Sequence, residues 1–328
     1  MAAMIDPPPD PPPDPPPDSP PDPPPDSPPD LPASLPLRCV SIDVEEYFHI
    51  EAAHGHVSRD RWDNFPSRVE RNVELLLNLF DRFDRKVTFF VLGHVAQRHA
   101  AMVRRMADAG HEIASHGMNH DRLHHLDRDL FRNDLMTSKR VLEDQVGEPV
   151  VGYRAPTFSV TTQTAWAIDV LAECGFEYDA SIFPVRHPWY GVPTAPLTPF
   201  HVRGEDGAVM LEIPPLVWRI GSMNLPVAGG GYFRLLPTVL MRRGLAQAAR
   251  LDRPAVLYFH PWEFDPQMPR LPLPWTGRIR TYTGINRTAA RLERVVALAG
   301  RWTTLAMALG EMRRHAKHHP VFDLTAHA

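Results

Sequence analysis

From residue 37 onward, short apolar blocks alternate with longer stretches of helical apolar spacing. Residues 37–44 form a block continuous enough for a buried strand, and 69–83 place Val73, Leu76, Leu77 and Phe80 on one helical face. Residues 86–92 predict a second strand, 95–109 a helix stopped by Gly110, 111–115 a short strand and 127–145 a long amphipathic helix. The order continues through 150–154, a helix over 161–174 and the segment 178–183. Residues 184–209, rich in Pro and Gly, read as irregular. Next come a strand at 210–213, a helix at 237–249 and a strand at 255–260. A Pro-rich stretch at 266–275 precedes a helix at 287–299 and a closing strand–helix unit at 302–317. Strand-then-helix order repeated in this way predicts an α/β fold with a parallel sheet.

The first 36 residues depart from this pattern. Pro-Pro-Pro-Asp recurs with a period of four over 7–30, interrupted by Ser19 and Ser27. Proline removes backbone donors and the regular aspartates repel one another, so a disordered, extended tail is expected at 1–36, outside a single domain at 37–328. The tail carries seven aspartates and no Lys or Arg, so the formal charge of −4 becomes about +3 for the remainder. That is too little for a nucleic-acid footprint. No run approaches the ~18 apolar residues of a membrane span. Cys39 and Cys174 are two lone cysteines rather than a disulfide framework, each expected as a small buried apolar residue. No basic segment followed by an apolar one opens the chain, so the expected location is cytoplasmic. A misassigned start codon would instead leave the proline tract upstream of the true first residue.

The chemically capable residues fall at the C-terminal ends of predicted strands: Asp43, His116, Arg154, Asp179 and His260. In a βα-barrel that is the end where active sites are built. His116 and His120, four apart, can converge on one divalent ion. Asp43 and Glu45 alternate along a strand end and can share a side, supplying a base and a third ligand, whereas Glu46 points the other way. His260 can supply an acid. His124 and His125 read as solvated.

These segments resemble the motifs of the polysaccharide deacetylase (NodB-homology, carbohydrate esterase 4) family. Ser41-Ile-Asp-Val-Glu-Glu-Tyr-Phe48 stands at the first motif and His116-Gly-Met-Asn-His120 at the second. Gly152-Tyr-Arg-Ala-Pro156 stands at the third, Asp179-Ala-Ser181 at the fourth and Leu257-Tyr-Phe-His260 at the fifth. Within the family the chain is similar to the subfamily of exosortase/PEP-CTERM exopolysaccharide loci, with a subfamily-type extension from about 261. The resemblance implies a distorted (β/α)7-type barrel that removes N-acetyl groups from N-acetylhexosamine units of a polysaccharide. It implies Asp43 as base, His260 as acid, Asp179 pairing with His260, and Arg154 orienting Asp43. The usual adjacent aspartate pair is broken by Val44, so Glu45 is expected to complete a metal site with His116 and His120. Zn²⁺ suits that set best, with Co²⁺, Ni²⁺ or Fe²⁺ tolerable. Tyr153, Pro156, Thr157, Phe158 and Trp262 are the expected substrate contacts, with Thr157 standing where many relatives carry an aromatic. Two other readings keep the same residues: hydrolysis of a small C–N substrate, or a glycan-binding protein impaired in catalysis.

Overall fold

A computed structural model describes residues 35–327. All but the last two residues of the tail expected at 1–36 lie outside them. The strands are β1 (Leu37–Val44), β2 (Thr88–Val91), β3 (Glu112–Ser115), β4 (Gly152–Tyr153), β5 (Tyr178–Asp179), β6 (Phe200–Arg203), β7 (Val209–Glu212), β8 (Val217–Ile220), β9 (Met223–Pro226), β10 (Ala255–Phe259), β11 (Arg301–Trp302) and β12 (Phe322–Asp323). The helices are α1 (Val69–Arg82), α2 (Gly93–Arg98), α3 (Ala100–Asp108), α4 (Arg128–Val146), α5 (Trp166–Glu173), α6 (Gly230–Leu235), α7 (Thr238–Arg250), α8 (Trp275–Tyr282), α9 (Thr288–Val296) and α10 (Leu309–Ala316).

The strands β10-β1-β2-β3-β4-β5-β7 pair in parallel in that order, giving the α/β fold with a parallel sheet. Across the gap between β7 and β10, Leu216 N–H donates to the Val256 carbonyl at 2.9 Å, and Tyr258 N–H to the Ala228 carbonyl at 3.2 Å. Side chains alternate accordingly. Leu37, Cys39, Phe90, Ala114, Tyr178, Leu211 and Val256 meet in an inner cluster, closed from below by Leu309, Met312 and Ala316 of α10. The intervening Val40, Ile42, Phe89, Val91 and Leu257 belong to the larger outer cluster under the helices. A third cluster joins Tyr47, Phe48 and Trp62, from the stretch after β1, to Trp262, Leu271 and Ile285 after β10. It fixes the segments that follow β1 and β10 to each other.

Four departures from the expected elements have local causes. The helix expected over 95–109 is broken at His99, whose ring turns to the Ser67 hydroxyl. The irregular stretch 184–209 contains β6, which runs antiparallel to β7 and pairs on its other side with β12. Residues 217–226 fold as the β8–β9 hairpin, and α6 begins within a Gly-Gly-Gly run although glycine disfavours a helix locally. The Pro-rich 266–275 leads into α8, with Pro274 at its N-cap.

Glu46 shows why the alternation after β1 matters. It turns away from the barrel mouth and accepts the N–H groups of Arg68 and Val69 at 3.0 and 3.2 Å, together with the Ser67 hydroxyl. These are orphan donors at the start of α1, where carboxylates are favourable. Glu46→Ala is expected to cost about 1–3 kcal/mol by leaving buried donors unpaired, read as a lower urea midpoint with an unchanged slope.

Candidate active site

The mouth of the barrel gathers side chains from β1, the β3–α4 loop, the end of β4 and the end of β10. Asp43 and Glu45 share a side of β1 because Val44 between them packs into the outer cluster. Arg154, wholly buried, donates from Nη1 to Asp43 Oδ1 at 2.8 Å and to the Ser41 hydroxyl at 2.6 Å. Its Nε reaches the Ala180 carbonyl at 3.0 Å. The guanidinium also lies 4.3 Å from the Phe90 ring centre. The carboxylate of Asp43 is therefore fixed in orientation from inside the barrel.

Glu45, His116 and His120 each offer one ligand atom, and the three atoms lie within 4.8 Å of one another. The donor set fits a divalent cation on three counts. His116 Nδ1 is 2.8 Å from the Arg154 carbonyl, so Nδ1 carries the proton and Nε2 keeps its lone pair for the cluster. Burial pushes His116 down to about 4, so the ring is neutral at pH 7. Finally, buried Glu45 Oε2 sits 2.8 Å from His120 Nε2 with no donor aligned on it, while Oε1 accepts the Trp262 indole N–H at 2.9 Å. Burial opposes ionisation of Glu45, but His120, His260 and His116 together hold its pKa below the ordinary value.

The histidine loop is shaped by two left-handed residues, Gly117 at φ 76° and His120 at φ 59°. Asp134 on α4 supports it by accepting the Met118 N–H at 2.9 Å. A Cβ on Gly117 would stand 2.9 Å from that same carboxylate oxygen. Asp134→Ala is expected to weaken metal affinity about 10–100-fold, the usual cost of losing an outer support, checked by competition with a chromogenic chelator.

At the opposite wall, His260 Nε2 is 3.8 Å from Asp43 Oδ2 and 3.9 Å from Glu45 Oε1. Its Nδ1 is 2.7 Å from Glu263 Oε1, and Glu263 Oε2 accepts Arg234 Nε at 2.7 Å. Burial alone would lower the pKa of His260. The Glu263 hydrogen bond and the charges of Glu45, Glu263 and Asp43 prevail and raise it to about 9. Trp262 stacks on His260 with ring centres 5.2 Å apart.

Asp179 does not pair with His260. Tyr178 and Ala180 on either side of it face the barrel interior, so Asp179 points outward, hydrogen-bonded to Ser181 and opposed to the buried carboxyl of Glu212. Burial raises both acids, Asp179 to about 6, and the charge of Asp179 raises Glu212 further. Tyr153 cannot stack on a sugar: adjacent to inward-facing Arg154, it is buried between Phe131 and Phe176 in the outer cluster. Pro156 is buried and starts a short turn, whereas Thr157 and Phe158 line the cavity. Thr157, at φ 58°, donates to Glu51 Oε2 at 3.1 Å. Trp262 lines the cavity with its indole N–H committed to Glu45.

The cavity measures about 220 Å³ and is further walled by Tyr190, Gly230, Tyr232, Leu235 and Arg280. None of these wall residues, nor Glu263, was singled out from the sequence. Glu263 did carry a signal: His260-Pro-Trp-Glu263 has the Pro-at-N1 and Glu-at-N3 spacing of a capping box, and the structure forms one.

Fold and site together define an α/β barrel with a carboxylate–histidine centre at the C-terminal ends of its strands. Residues 61–178, which carry both loop histidines and Arg154, match the sequence model of the polysaccharide deacetylase family. Residues 180–309, which carry His260 and Glu263, match a domain of unknown function, DUF3473. Over 179 residues the chain is 27% identical to a peptidoglycan deacetylase of Helicobacter pylori, covering 52% of this chain and 57% of that protein. The chain thus spans little more than half the length of that relative. A crystal structure from Mycobacterium smegmatis, assigned as a polysaccharide deacetylase, superposes with a TM-score of 0.59 at 25% identity, covering 89% of this chain and 94% of that one. An allantoinase structure superposes with a TM-score of 0.56 at 18% identity, over 88% and 94%, and shows the fold alone. Through its residues 61–178 the chain is thus similar to the polysaccharide deacetylase family.

Proposed function

We propose that the chain is a metal-dependent hydrolase that removes N-acetyl groups from N-acetylhexosamine units of a polysaccharide, in exopolysaccharide biosynthesis. One observation carries the reading: a fixed carboxylate and an imidazole face each other across 3.8 Å, beside a Glu-His-His cluster able to hold a cation. Glu45, His116 and His120 would hold the ion, with Zn²⁺ the best match to two imidazoles and a carboxylate. When bound, such an ion polarises the amide carbonyl and brings the pKa of water near neutrality.

The remaining steps fall to the chain's own side chains. Asp43, oriented by Arg154, takes the proton of the attacking water. The C–N bond of the acetamide breaks, and His260 Nε2–H protonates the departing amine, which cannot leave as an anion. Glu263 keeps His260 charged and turned toward the site. Thr157, Phe158 and Tyr190, the last two in ring contact, bound the space left for one sugar unit.

The test is acetate release from N-acetylglucosamine oligomers by purified protein loaded separately with Zn²⁺, Co²⁺, Ni²⁺ and Fe²⁺. Absence of acetate with every ion, across several acetylated glycans, overturns the reading. The small cavity supports one alternative, a small amide on the same barrel. In that case a cyclic amide or formamide is hydrolysed in the same assay while the oligomers are not.

A further inference from the structure

We propose that the face beside the cavity mouth, built by α6, α8 and the start of α7, is a peripheral docking surface for an anionic lipid membrane. The proposal is independent of the chemistry assigned to the site. Its first support is charge distribution. Residues 213–251 contain five arginines and no acidic residue, and residues 266–292 contain five more arginines and again no acid. Arg242, Arg243, Arg270, Arg278, Arg280 and Arg287 are all exposed, and none forms an ion pair with a carboxylate among the described residues. Elsewhere on the surface, arginines are commonly paired, as Arg59, Arg98, Arg128 and Arg132 are.

Large apolar side chains stand exposed within the same segments. On α8, Trp275 is 72% and Ile279 52% exposed; four residues apart, they share one helix face. Leu235 at the end of α6 and Val239 in the first turn of α7 are about half exposed. The C-terminal end of α8 is fastened to α6: Arg234 donates to the carbonyls of Arg280, Thr281 and Thr283 at 2.8–3.0 Å. Arg280, Thr281 and Leu235 themselves line the cavity. The helix that carries the apolar face is therefore anchored at its C-terminal end beside the entrance.

The chemistry selects the occupant. Interfacial Trp and aliphatic side chains with arginines around them match the boundary between anionic headgroups and acyl chains. An acidic polysaccharide would use the arginines but has no use for exposed Ile, Leu and Val. Among the described residues no helix is long and apolar enough to cross a membrane, so contact through this face is peripheral. Docked there, the cavity mouth would lie at the lipid surface.

The experiment is co-sedimentation of the full chain with vesicles of phosphatidylcholine alone or mixed with phosphatidylglycerol. Expected are binding to the anionic vesicles, release by about 0.5 M salt as charges are screened, and at least about tenfold weaker partitioning of Trp275→Glu/Ile279→Glu. The melting temperature of that variant should be unchanged. If it fails to fold, Trp275→Ala alone should still weaken partitioning several-fold. The proposal is overturned by absence of binding to anionic vesicles, by equal binding of a folded variant, or by retention on alginate without retention on vesicles.

Discussion

Asp43→Asn is expected to lower acetate release by about 10²–10⁴-fold, the contribution of a positioned proton acceptor. Asparagine keeps the shape and an oxygen for Arg154 Nη1, but it has no basic carboxylate. Glu45, His116 and His120 are untouched, so metal content by elemental analysis should equal that of the parent protein. A second consequence is structural. Arg154 is fully buried and would lose the carboxylate it pairs with directly, and breaking a buried ion pair from one side costs about 3–5 kcal/mol. A lower melting temperature should therefore accompany the lost turnover. Parental acetate release by a folded, metal-loaded Asp43→Asn protein would remove Asp43 from the role of base.

Glu263→Gln should act on the other proton. The acid must be protonated to work, so activity falls as pH rises through the pKa of His260. Glu263 raises that pKa by hydrogen bond and by charge, against burial. A bound cation would offset part of the pull of Glu45, leaving Glu263 the larger share. With glutamine there, the alkaline limb of kcat should move to lower pH, and kcat at pH 8 should fall by about 10²-fold or more. Glu263→Asp should recover part of the shift. The same linkage has a sign for stability: a raised histidine pKa contributes fully below 6.5, and the contribution is lost as pH rises through about 9. An unmoved alkaline limb in folded Glu263→Gln protein would reduce Glu263 to a structural partner of Arg234.

Much of the barrel was legible because its strands are buried on both faces and read as apolar blocks set between amphipathic helices. The same alternation that put Asp43 and Glu45 together also separates Tyr153 from Arg154 and Asp179 from Ala180. Motif spacing alone does not carry that parity, which is why two expected site residues face away from the cavity. Glu263 was hidden differently: it acts through a single turn after β10, three residues beyond His260. The hairpin β8–β9 and helices α6 and α8 were obscured by Gly and Pro, which locally disfavour the elements that tertiary packing nevertheless forms.

The lateral bonds from Leu216 to Val256 and from Tyr258 to Ala228 also limit how this protein can be dissected. The boundary between the two matched regions falls at β5, midway round the barrel wall. A fragment cut there would have two raw strand edges and lack the imidazole donor together with its anchor. Neither half is a portable module, so gene fusions or shuffling experiments must carry both regions as one indivisible unit.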